Sequence, residues 1–175
     1  VVTDTVVDHL RREELIGGYE AHAEAADRIE GIRESAATLV GARPDQIALL
    51  ESATAAWSRA ISAVAYTRPL YESNRILVSS AEYASNVLPL MQLAMRTGAR
   101  IEFIPDGADG TVDVDAFHDM FDTDVAVVAV THCPSQNGLV NDVASIGAVL
   151  RETDTWYIVD ACQSIGQLPV DVAAI

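Results

Sequence analysis

Residues 157–163 read YIVDACQ. An apolar run delivers an aspartate, Asp160, and a glutamine, Gln163, follows three positions later. A carboxylate at the end of a buried strand stays charged only if it is paired or hydrogen-bonded. Asp160 therefore asks for a partner: a cationic ring nitrogen, a metal ion, or the start of a helix. Gln163 can donate or accept beside the same ligand. Three other polar segments also leave predicted elements: ESAT at 51–54, SSAEYASN at 79–86 and THCPSQNG at 131–138. Ser52, Ala53 and Thr54 sit where an apolar run turns into a helix. Free backbone N–H groups, the Thr54 hydroxyl and the positive helix end can cradle an anion such as phosphate there, or Ser52 or Thr54 can simply cap the helix. The glycine-rich pattern of a nucleoside triphosphate loop is missing. Tyr83 offers a flat face for stacking a planar ligand, although core packing is the commoner use of tyrosine. Asn86 can bond to a ligand or cap the backbone, and the cap is the commoner use. Ser135 and Gln136 lie in a proline-containing loop, where they can meet a ring substituent or serve the turn.

Other polar residues point elsewhere. His132, Cys133 and Cys162 show neither CxxC nor HxxxH spacing, so no zinc site is expected. The run DGADGTVDVD lacks the residue order of a calcium loop and reads as a turn followed by a helix start. His9, His22 and His118 fall on predicted helices with acidic neighbours and read as surface residues.

These loops need a scaffold that presents them together. Residues 1–40 read as helix broken near Gly17 and Gly18 and ended by Gly41. Residues 46–50 form a short apolar run after Pro44 and Asp45, predicting a strand, and SATAAWSRAISAVAY has helical spacing. Strands are then predicted at 75–79, 100–104, 125–130 and 156–159, with helices at 84–96, 114–121 and 143–150; residues 67–74 form a loop. Continuous Val/Ile/Leu runs alternating with amphipathic helices imply an α/β fold, a largely parallel sheet sandwiched by helices. Such sheets bind ligands beyond the C-terminal ends of their strands.

Bulk properties exclude several roles. The 175 residues carry 26 acidic and 11 basic side chains, a net charge of −15, which repels nucleic acid and anionic lipid. Every basic residue is arginine, and lysine is absent. Half the residues are apolar, enough for one sizeable core. With two cysteines and no apolar run of about 18 residues, a reduced, cytoplasmic setting with no membrane partner is expected.

DACQSIGQLPVDV, residues 160–172, resembles the D-A-x-Q-x-x-G-x-x-P-x-D-V pattern of the class V aminotransferase family. These are fold-type I pyridoxal 5′-phosphate (PLP) enzymes that include cysteine desulfurases, isopenicillin N epimerase and C–S lyases. The resemblance runs over nearly the whole chain. It implies that Asp160 pairs with the pyridinium nitrogen as a catalytic residue and that Gln163 approaches the ring oxygen or the Schiff base. It also implies that Ala53 and Thr54 bind the phosphate, alanine contributing only its N–H, and that Ser135, three before Gly138, meets the ring oxygen. AEYASNVLPL resembles the E-H-x-S-N-x-x-P stretch of cysteine desulfurases and puts Tyr83 where their histidine stacks on the ring and moves protons. Tyrosine there is more similar to the epimerase and C–S lyase branches. The family's Schiff-base lysine lies beyond the D-x-x-Q stretch. Residues 1–175 are therefore expected to be a partial PLP-binding large domain, inactive alone, lacking that lysine and the small C-terminal domain. The resemblance further implies a small amino acid substrate, sulfur-containing in the first instance, with C–S lyase or transferase chemistry, cysteine desulfurase, aminotransferase or epimerase activity as the alternatives among enzymes, and a homodimer. The alternative is a lysine-free, non-catalytic binding or assembly domain of the same fold.

Overall fold

The computed structural model describes residues 1–175, which divide into two compact units, 1–48 and 49–175. The first is helical: α1 (Val2–Ile16), α2 (Gly18–Glu24) and α3 (Ala26–Val40). The predicted break is at Gly17, whose φ of 98° suits a residue without a Cβ. A second break, at Ala25, separates α2 from α3. Gly41 ends α3 in the left-handed region at φ 69°. Arg12 on α1 holds Glu24 on α2 through two hydrogen bonds of 2.8 and 2.6 Å.

The predicted strand at 46–50 does not form. A 3-10 turn occupies Pro44–Gln46, Ile47 is extended, and residues 47–50 belong to no strand. A short apolar run becomes a strand only where a neighbouring strand completes its hydrogen bonds, and none lies alongside this one.

The second unit contains α4 (Ala53–Thr67), β1 (Arg75–Ser79), α5 (Ala84–Thr97), β2 (Arg100–Ile104), α6 (Val114–Met120), β3 (Val125–Thr131), α7 (Val143–Leu150) and β4 (Trp156–Asp160). The four strands pair entirely in parallel in the order β2-β1-β3-β4. Strand alternation divides the apolar residues between two layers. Ile76, Val78, Val127 and Ala129 pack with Trp57, Ile61, Leu90 and Leu93 of α4 and α5. Leu77, Val128 and Val130 pack with Phe117, Ile146 and Leu150 of α6 and α7. Both faces of the sheet are thus covered, which is why β3 reads as an unbroken apolar run.

The connection from β1 through α5 runs outward to β2, while that from β3 through α7 runs the opposite way to β4. The order reverses between β1 and β3, and at such a switch point the loops beyond the strand ends separate into a crevice. Between β2 and α6, Gly110 at φ 82° turns the chain, and Asp109 accepts hydrogen bonds from both the backbone N–H and the hydroxyl of Thr111. No helix is long and apolar enough to cross a membrane.

Candidate functional site

Four segments converge beyond the C-terminal ends of the strands. The first is the start of α4. Ser52 is its N-cap, with φ −161° and ψ 161°, and its Oγ accepts the Ala55 N–H at 3.2 Å. The first helical bond, Ala56 N–H to the Ser52 carbonyl, measures 2.9 Å. The N–H groups of Ala53 and Thr54 have no partner in the chain and carry the positive end of the helix. The capping and anion-binding readings of this segment therefore coexist: Ser52 caps, and the next two residues keep free donors.

The second segment joins β1 to α5. Tyr83 is the N-cap of α5 without a side-chain capping bond, and it is 55% exposed. The third follows β3, where Thr131 is in register with Asp160 of β4 and the His132 N–H donates to the Asp160 carbonyl at 2.8 Å. The fourth is the end of β4 itself. Ala53, Thr54, Tyr83, Ser135, Asp160 and Gln163 all line one cavity of about 310 Å³, at the small end of the range for small-molecule sites (about 300–1,000 Å³). The Gln163 and Ser135 residues are exposed. No group of three or more His, Cys, Asp or Glu side chains is placed to hold a metal ion.

The Asp160 carboxylate has donors but no cation. Its Oδ1 accepts the Cys162 N–H at 2.9 Å, and its Oδ2 accepts from Asn86 Nδ2 at 2.7 Å. Neither Asp160 nor Glu82 is in an ion pair. Burial pushes the Cys162 thiol up to about 11, helped by its hydrogen bond to Asp160 and by that residue's charge. Asn86 is not the backbone cap predicted from sequence. Its side chain is buried and bridges two carboxylates, Glu82 and Asp160, while its backbone carbonyl accepts the Trp57 indole N–H at 3.0 Å and so ties α5 to α4. A cavity with unbonded N–H groups on one side and an unpaired carboxylate on another suits a ligand that carries an anion and a cation at separate ends.

The family profile described as Aminotransferase class-V matches residues 6–175. The chain belongs to the class-V aminotransferase family. A probable cysteine desulfurase of Methanothermobacter thermautotrophicus is 32% identical over 159 residues, covering 91% of this chain and 38% of that protein. DndA from Streptomyces lividans superposes with a TM-score of 0.85 at 28% identity, over 96% of this chain and 47% of that one. C-DES, solved with glycine covalently linked to its PLP cofactor, superposes with a TM-score of 0.84 at 19% identity, over 98% of this chain and 46% of that one. The chain thus spans less than half the length of each of these proteins, and the fold is that of the PLP-dependent transferases.

Within this class-V chain, sequence reading overlooked a buried polar group behind the cavity. Glu82 accepts the Ser79 hydroxyl at 2.5 Å, the Thr131 hydroxyl at 2.7 Å and Asn86 Nδ2 at 3.0 Å. The signal was available, since 79–82 reads as a strand ending in serine with an acid three residues on, the logic that singled out Asp160. His132, rejected as a zinc ligand, is buried with Nδ1 unpartnered, and burial lowers its pKa from the ordinary value.

Proposed function

We propose that the protein to which this chain belongs is a PLP-dependent enzyme acting on an amino acid, with this chain supplying both polar ends of the cofactor site. One observation carries the reading: the free N–H groups at the start of α4 and the carboxylate of Asp160 border the same cavity. The first set suits a phosphate dianion and the second a pyridinium, so the residues present fit the cofactor. Ala53 and Thr54 hold the phosphate through backbone N–H groups and the Thr54 hydroxyl. Tyr83 would stack on the ring, and Ser135 and Gln163 would hydrogen-bond its oxygen substituent. Asp160 keeps the ring nitrogen protonated. Bound PLP supplies an electron sink for charge developing at a substrate Cα. With no lysine in the chain, the Schiff-base lysine on this reading belongs to the rest of the protein, and residues 1–175 act as a cofactor cradle that does not turn over alone.

The finer chemistry is C–S bond cleavage in a sulfur-containing amino acid by a homodimer. The names of the cysteine desulfurase relatives support the substrate class, and tyrosine rather than histidine at position 83 supports a C–S lyase over a desulfurase. Calorimetric titration of the apo protein with pyridoxamine 5′-phosphate, which needs no Schiff base, tests the site. Binding is expected, and Asp160→Ala should weaken it about ten- to a hundredfold, the worth of a hydrogen bond to a charged group. Absence of binding, or equal affinity in the variant, would refute the reading.

A further inference from the structure

Glu82 stands behind the cavity rather than in it. It is 8% exposed, lines no part of the pocket, and has no cationic partner. Each neighbour of its carboxylate is a donor. The Ser79 hydroxyl oxygen already accepts the Thr131 N–H at 3.2 Å, which leaves its hydrogen for Glu82 Oε1. The Thr131 hydroxyl and the Asn86 amide both reach Oε2. The two amide hydrogens of Asn86 are divided between two acids, Glu82 Oε2 at 3.0 Å and Asp160 Oδ2 at 2.7 Å. This division fixes the amide, because the flipped orientation would set its carbonyl oxygen against two carboxylates. Asn86 is itself buried at 3% exposure, so neither hydrogen can be satisfied by bulk water instead.

Resting on the function proposed above, we infer that Glu82 is a positioning residue for the ring-nitrogen contact: it locks the Asn86 amide so that it donates to Asp160 and places a second acid one amide away. The first effect aims the Asp160 carboxylate into the cavity, leaving its remaining lone pairs to a cation. The second lowers the electrostatic potential where that cation sits, in surroundings that screen charge less than water does. Both act only on a ligand whose ring carries a proton.

That selectivity separates positioning from a general structural role. The test measures dissociation constants of the apo protein for pyridoxamine 5′-phosphate and for its analogue with C–H in place of the ring nitrogen. The wild-type protein should prefer the nitrogen-containing ligand. Glu82→Gln, nearly isosteric and able to turn its oxygen toward Asn86 but without the negative charge, should lose about tenfold of that preference while its affinity for the analogue stays within about twofold. An equal loss for both ligands, or no loss, overturns the inference. Should Glu82→Gln fail to fold by circular dichroism, Asn86→Ala cuts the bridge with both acids in place and must show the same nitrogen-selective loss; equal weakening of both ligands there is equally fatal. A wild-type protein indifferent to the ring nitrogen would instead remove the proposed cofactor role of Asp160 and the inference with it, before any variant is made.

Discussion

Cys162 reports on the charge beside it. Its sulfur is next to Asp160, and a thiolate there would be desolvated and face a carboxylate. With the thiol pushed up to about 11, iodoacetamide labelling of Cys162 should stay slow through mildly alkaline pH and accelerate only as the pH approaches that value, since the thiolate is the nucleophile. Asp160→Asn removes the charge that disfavours the thiolate and should move the labelling profile to lower pH; a profile unchanged by the substitution would show that the two side chains do not interact. Asp160 was legible because an apolar strand ending in an acid is an electrostatic problem visible in three letters. Asn86 was not, because one of its two side-chain partners, Asp160, lies 74 residues away, while a local cap needs only neighbours in sequence. Tyr83, Ser135 and Gln163 are singled out only through a resemblance to a family pattern; taken singly, each has an ordinary structural use.

At the scale of elements, α4 does two jobs with its first turn. Ser52 satisfies one orphan donor and thereby defines where the helix begins, which leaves the Ala53 and Thr54 donors directed outward. Ser52→Ala should cost about 1 kcal/mol of stability, the usual value of an N-cap, read as a lower urea midpoint with an unchanged slope; no change would mean that the cap is not contributing. The strands of the sheet were readable because burial on both faces demands continuous apolar runs, as in β3, where every residue is buried. The run at 46–50 satisfied the same local rule and still formed no strand, since pairing depends on a neighbour that a sequence window does not contain. The switch between β1 and β3 was likewise invisible, although the alternation of strands and helices had already placed the loops at one edge.

Across the whole molecule, an acidic chain with a net charge of −15 presents two kinds of recognition at a single cavity: helix-end donors for an anion and a carboxylate for a cation. Neither alone is specific, since helix starts and strand-terminal acids are common; bordering the same space, they describe a ligand with separated charges. The chain spans 38% of the Methanothermobacter relative and 47% of DndA, and the cofactor contacts proposed here are read from ligand binding rather than from turnover. The most direct test is the ¹⁵N NMR shift of ring-labelled pyridoxamine 5′-phosphate bound to the apo protein at a pH above the free ligand's ring titration. The account predicts a protonated ring nitrogen in the wild-type complex and an unprotonated one with Asp160→Asn. An unprotonated nitrogen in both complexes, or a protonated one that survives the substitution, would contradict it.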